Sequence, residues 1–223
     1  MRIFPIFAKK SIVGKGYIQK LIEQGEHQQL DFKFQITDSM KIAKTFSAFA
    51  NTDGGTLLIG VKDNGNIAGV RSEEEFFMAE AAANMYCESP VPFTSKEWVV
   101  ENRRVLEITI PASNEKPHYA KYESDKWLAY IRVDDQNILV NRVLLNAWKR
   151  KKSPEGTYIN YGEKEKLLLE YLENNETISL SKFKKIARIS PYKAGNILTN
   201  FLALDLIQIK VSEKEVVYSL PEE

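Results

Sequence analysis

Residues 179–200 carry five basic side chains, Lys182, Lys184, Lys185, Arg188 and Lys193, and no acidic one. Cations gathered without carboxylates among them can face phosphate without internal cancellation, and the release of condensed counterions from a nucleic acid drives such contacts. The same stretch holds Tyr192, Asn196, Thr199 and Asn200, whose hydroxyl and amide groups suit phosphates and base edges. Together these side chains form a candidate nucleic-acid-binding face. A basic run can equally be a solvated helix surface, so the elements that carry it have to decide.

Other chemistry is sparse. Cys87 is the single cysteine, which excludes an internal disulfide, and with only His27 and His118 beside it a structural zinc site lacks ligands. Cys87 falls in a helical pattern and reads as a small buried hydrophobe. His118, in Lys116-Pro117-His118-Tyr119, reads as a solvated loop residue. Across 223 residues, 31 basic side chains nearly cancel 30 acidic ones, leaving a net charge of +1. Overall charge therefore selects no partner, and only local clustering can. No apolar run approaches the roughly 20 residues of a membrane helix. Residues 1–7 are apolar but too short and Pro-broken for a signal segment. The expectation is a cytoplasmic protein without a membrane partner.

Three helical patterns position the basic face: residues 163–173, 180–187, and 190–204. The last opens on Ser190, a capping residue, followed by Pro191 at the first helical position. Ala194, Ile197, Leu198, Phe201 and Leu202 form its inward stripe, leaving Tyr192, Lys193, Asn196, Thr199 and Asn200 to face outward. Two strands, 207–211 and 216–220, flank a polar turn. The short corner at Arg188-Ile189-Ser190 suits a winged helix-turn-helix over residues 161–223, whose third helix enters the major groove. Charge, Pro and Gly without apolar periodicity mark 149–156 as a linker, so the boundary is placed near 150, with 151–160 connecting the domains.

Residues 1–150 alternate strands and helices. A helix ends at Gly25. The strand from Leu30 to Ile36 then puts Asp31 and Lys33 on one polar face. Thr37, Asp38 and Ser39 offer caps for a helix bearing Ile42, Ala43, Phe46, Phe49 and Ala50. A central strand covers 56–61, and a turn at 63–66 returns into 67–70. There follow a helix over 73–87, a hairpin over 96–110, a strand over 127–133 and a helix over 139–148. Most strand pairs are joined by hairpins, so the fold class is α+β rather than doubly wound.

Four pieces stand in order: Gly25-Glu26-His27-Gln28-Gln29-Leu30-Asp31-Phe32-Lys33, then Ser47-Ala48-Phe49-Ala50-Asn51-Thr52-Asp53-Gly54-Gly55, then Leu58-Ile59-Gly60-Val61-Lys62-Asp63, then Tyr130-Ile131-Arg132-Val133. Together they resemble the Schlafen AlbA-type domain over roughly the first 150 residues. The resemblance implies an α+β nucleic-acid-binding domain, a common neighbour of winged helices, with relatives labelled transcriptional regulators. It implies a family turn at Asn51, Asp53, Gly54 and Gly55. Some relatives are labelled ATP-binding, but ATP is not expected here because no G-x-x-x-x-G-K-[ST] loop occurs. Animal Schlafen proteins further imply cleavage of structured RNA of the tRNA class at three carboxylates. The matching residues are Glu26, Asp31 and Asp63, which would hold Mg²⁺ or Mn²⁺, with Lys33 steadying the transition state. Asp31 stands where Glu is more usual and reaches one methylene less far. Plainer roles exist for each: Glu26 solvated after a helix-ending Gly, Asp63 starting a turn, Asn51 to Gly55 serving the fold alone. The favoured reading is a DNA-binding transcriptional regulator acting on duplex DNA, with RNA as the other nucleic-acid partner and a homodimer as an option. The alternative is the metal-dependent ribonuclease, and a third reading is a dimerising interaction protein.

Overall fold

The computed structural model describes residues 12–13 and 15–222, and it is α+β. The chain divides into two compact units, with the division between Leu139 and Val140.

The first unit contains β1 (Ile12–Val13), α1 (Lys15–Gln24), β2 (Leu30–Lys33), α2 (Ser39–Asn51), β3 (Gly55–Ile59), α3 (Glu74–Met85), β4 (Cys87–Glu88), β5 (Thr94–Val100), β6 (Arg103–Ile110), β7 (Tyr119–Glu123), β8 (Lys126–Val133) and β9 (Gln136–Leu139). Five strands form one sheet in the order β1-β5-β6-β3-β2, and four form another in the order β4-β7-β8-β9. Hairpins join β5 to β6, β7 to β8 and β8 to β9, but β2 and β3 run parallel with α2 as their crossover. The strand expected to run to Ile36 ends at Lys33, and the expected return strand over 67–70 is only a single bridge between Val61 and Ile67. β1, β4, β7 and β9 were not foreseen; they are short or carry too little apolar alternation to read as strands.

Helix α2 starts on Asp38, whose carboxylate accepts from the amides of Met40 (2.8 Å) and Lys41 (3.2 Å). It is buried almost all round and packs on α3, on β6 and on all four strands of the second sheet. Its Ile42, Ala43, Phe46, Phe49 and Ala50 join Leu57, Ile59, Ile108, Ile110, Ala120 and Tyr130 in the main core. The opposite face of the first sheet buries Ile18, Leu30, Phe32, Leu58, Val61, Val100 and Val105. Leu57 and Ile59 enter one core and Leu58 the other, the two-residue period of a central strand covered on both faces.

A helix so buried still carries Ser47 and Asn51, with Thr52 as its C-cap, and all three have backbone to satisfy. β7 begins at Tyr119, so beyond the 119–129 pair β8 has no strand neighbour on that side. The Ser47 hydroxyl accepts from Tyr130 N (3.1 Å), and Asn51 Nδ2 donates to Tyr130 O (2.9 Å). Thr52 Oγ1 accepts from Arg132 N (2.8 Å), and Gln28 Nε2 donates to Arg132 O (3.0 Å). Asn51 also exchanges two 2.8 Å hydrogen bonds with the backbone of His118. Side chains thus complete the ladder where a strand is missing.

The second unit contains α4 (Arg142–Lys151), α5 (Glu163–Asn174), β10 (Ile178–Ser179), α6 (Leu180–Ala187), α7 (Pro191–Ala203), β11 (Gln208–Val211) and β12 (Val216–Ser219). Its sheet is antiparallel, in the order β10-β12-β11. The boundary expected near 150 is displaced because α4 belongs here. Asn141 caps it through Leu144 N (3.0 Å), and its Val143, Leu144 and Ala147 are buried, with α7 as its main packing partner. The basic run at 149–151 is its last turn, where cations complement the helix dipole, and not a linker. Among the described residues no helix is long and apolar enough to cross a membrane.

Candidate functional site

In the second unit, α6 and α7 meet at a sharp corner. Arg188 takes a left-handed conformation (φ 53°) and ends α6, while the Ser190 hydroxyl accepts from Lys193 N (3.2 Å) to start α7. Ser179 starts α6 in the same way through Lys182 N (3.2 Å). Lys182, Lys185, Arg188, Tyr192 and Lys193 are exposed, and Lys184, Asn196 and Asn200 are half-buried. None of the five cations forms an ion pair with another described residue. Thr199, expected to face outward, is 1% exposed, because α4 lies along that flank of α7. The same packing brings in residues that sequence reading assigned elsewhere: Arg142, Asn146, Lys149 and Arg150 lie beside the start of α7. The signal was present in the period of Val143, Leu144 and Ala147, an apolar stripe that needs a partner.

The acidic candidates of the first unit do not all come together. Asp31 and Lys33 share a face of β2, as alternation requires, but Asp31 is 3% exposed and ion-paired on both oxygens, with Oδ2 making no hydrogen bond. Its Oδ1 meets Arg132 Nη2 at 3.1 Å and its Oδ2 meets Lys33 Nζ at 2.9 Å. Glu26 Oε1 accepts from Phe32 N (2.8 Å) and lies 3.9 Å from Lys33 Nζ. Asp63 is exposed in the turn after β3, and among the described residues no three acidic, histidine or cysteine side chains are placed to hold a metal ion. A Mg²⁺ or Mn²⁺ ion therefore does not fit this arrangement: two carboxylates converge, and one of them is already paired with two cations.

Arg132, present in the fourth family motif but given no role there, is the cation at the centre of this cluster. It is 2% exposed, and besides Asp31 it donates to Asn137 Oδ1 (3.1 Å) and approaches the carbonyls of His27 and Leu30 (3.4 Å each). Its guanidinium lies 5.2 Å from the centre of the Phe49 ring. Burial holds the Glu26 carboxyl above its ordinary range, and neighbouring Asp31 adds to this, while the Phe32 amide and Lys33 oppose it. An acid with a raised folded-state pKa contributes most stability below its unfolded value and loses it as pH rises through the folded one. Glu26→Gln keeps an oxygen for Phe32 N and removes that dependence. In urea titrations the variant should match the wild type at acid pH and be the more stable of the two at pH 8. A wild type that gains on the variant as pH rises would refute the assigned cause.

The residues of the family turn make contacts within the fold. Asn51 is 2% exposed and spent on backbone, and Asp53 Oδ2 accepts from Gln28 Nε2 (2.9 Å). Gly54 has φ +73°, and a Cβ there would lie 2.7 Å from both Ala112 N and Ile110 O. A Cβ on Gly55 would sit 2.5 Å from the Phe49 ring. His118, expected in solvent, is 2% exposed, with Nδ1 2.8 Å from Ser89 O and Nε2 2.7 Å from Ser113 Oγ. Cys87 is buried against Ala43 O, and burial pushes its thiol up to about 12, which removes it as a nucleophile.

No curated protein matches the chain. Among solved structures, the DIP2311 protein of Corynebacterium diphtheriae is similar at 19% identity and a TM-score of 0.44, over 85% of this chain and 34% of that one. The chain thus spans about a third of that protein's length. The N-terminal domain of an ATP-dependent DNA helicase RecG-related protein from Nitrosomonas europaea is similar at 22% identity and a TM-score of 0.39, over 56% of this chain and 95% of that one. A family model described as Schlafen, AlbA_2 matches residues 26–141. That match covers more than half of the chain and contains Glu26, Asp31, the Asn51–Gly55 turn and Arg132, so the chain belongs to the Schlafen AlbA_2 family.

Proposed function

We propose that this chain is a nucleic-acid-binding protein, and that its second unit is a winged helix-turn-helix holding duplex DNA in the service of transcriptional regulation. The observation that carries the reading is the cationic surface of α6 and α7. Lys182, Lys185, Arg188 and Lys193 are exposed with no described acidic partner, around a corner that sets the start of α7 outward. The element order helix, strand, helix, helix, strand, strand supports it, with the turn between β11 and β12 as the wing. Lys193 meets phosphate and Asn196 a base edge, while the Schlafen AlbA_2 unit adds a second surface for nucleic acid or a partner. RNA cleavage draws no comparable support from the carboxylates described above.

Retention of labelled duplex DNA over a salt series tests the reading. Replacing both Lys193 and Asn196 by alanine should weaken binding about tenfold or more, as losing one base contact and one phosphate contact requires. The salt slope should also fall by about one. Unchanged affinity and slope in that variant would remove α7 as the reading helix.

A further inference from the structure

Between α4 and the start of α7 lies a groove of about 810 Å³, formed entirely within the second unit. Its volume falls in the range of small-ligand clefts, roughly 300–1,000 Å³. Arg142, Lys149 and Arg150 line it from the polar face of α4, and no acidic side chain does. Arg150 Nη1 reaches the carbonyl of Asn196 (3.4 Å), which fixes that guanidinium at the groove wall. Tyr192 stands on the rim, 72% exposed, with an unused ring face. The groove thus offers cations for an anion and an aromatic plane for a ring, a few residues apart.

The floor carries a second observation. Gly195 sits inside α7, where glycine weakens a helix relative to alanine. Its neighbours do not demand it: a Cβ would meet Leu180 Cδ1 at 3.8 Å and Val143 Cγ2 at 4.0 Å, which are ordinary contacts. The fold has room for a side chain there, and leaving it out keeps the groove open. A bound ligand is a physical reason for that choice.

We infer that the α4–α7 groove binds a nucleoside phosphate, with the phosphate held by Arg142 and Arg150 and the base stacked on Tyr192. Both sources of that chemistry, a free nucleotide or a nucleotide within a strand, present the same groups. The free nucleotide is favoured because the groove is concave and closed off by a helix on each side, whereas a recognition helix meets duplex DNA by protruding into it. Tyr192 and Asn196 belong to both surfaces, so the nucleotide and duplex DNA exclude one another. That exclusion, unlike the groove itself, rests on the DNA reading above.

The test uses the full chain with N-methylanthraniloyl-labelled AMP and ADP, competed by unlabelled AMP and by inorganic phosphate. The expected result is saturable binding with a Kd below about 1 mM, weakened at least tenfold by Arg142→Ala and by Gly195→Leu. Gly195→Ala, which only adds a methyl, should raise the melting temperature by about 4 °C and weaken the nucleotide less than Gly195→Leu does. Absence of saturable binding overturns the inference, as does equal binding by wild type and Arg142→Ala. Loss of duplex retention in Arg142→Ala without any nucleotide binding also overturns it, and gives the groove to the DNA backbone. Nucleotide binding with the stated variant pattern, but no duplex retention, upholds the groove and fails the DNA reading alone.

Discussion

Replacing Arg132 by methionine is expected to destabilise the first unit by about 3–5 kcal/mol, the cost of stripping one partner from a buried ion pair. Asp31 is left 3% exposed with only Lys33 opposite it, and Asn137 and two backbone carbonyls lose a donor. Lys33 is 37% exposed and screened, so it compensates in part and places the loss toward the lower figure. Arg132→Lys should not restore stability, because an ammonium cannot reproduce the fork that spans Asp31 and Asn137. The informative variant is the double one. Asp31→Asn with Arg132→Met removes the charge that would otherwise be stranded, and should be less destabilised than Arg132→Met alone in urea unfolding. A double variant that loses the sum of the two single effects would show that Asp31 and Arg132 do not act as a pair.

The second large effect is on binding. Lys182→Glu, Lys185→Glu and Lys193→Glu together should reduce duplex retention more than a hundredfold at moderate salt, since three attractive phosphate contacts become repulsive. Loss of folding would ordinarily confuse such a result, and at two of the three positions helix physics works the other way. Lys182 and Lys193 occupy the third helical positions of α6 and α7, opposite the capping hydroxyls of Ser179 and Ser190. Glutamate at that position completes a capping box and favours the positive end of the helix dipole, where lysine opposes it. At Lys185, in the last turn of α6, glutamate instead opposes the dipole, so the triple variant should melt close to the wild type, the two boxes offsetting that cost. The chain keeps lysine where local stability prefers an acid, as the proposed DNA surface requires. Full duplex retention by the triple variant would sink the DNA surface outright.

Much of this was legible in the residues. The Asp38 cap, the α2 stripe and the Ser190-Pro191 start of α7 are local signals, and local physics realises them. The misreadings share a cause in tertiary packing. Lys149 to Lys151 read as a linker because the apolar period of the helix over 139–148 stops at Trp148, and the meaning of that period depends on α7 being there to receive it. Thr199 was placed outward because its own helix leaves it free, and it is α4 that covers it. Arg132 follows an apolar run from Trp127 to Ile131, and nothing within the strand says that an aspartate on β2 will be its partner. Asp63 follows its strand as the family pattern asks, but order along the chain does not bring its carboxylate to the other two.

The polar side chains of α2 have a consequence for how these molecules meet one another. An unpaired strand edge is a template on which a second chain can add a strand. At Tyr130 and Arg132 that template is already filled, by Ser47, Asn51, Thr52 and Gln28 acting in place of backbone. The Ala-Asn-Thr turn thereby blocks edge-to-edge association of β8. Loss of these side chains would open a sticky edge as well as weaken the fold, and its visible result would be self-association before unfolding.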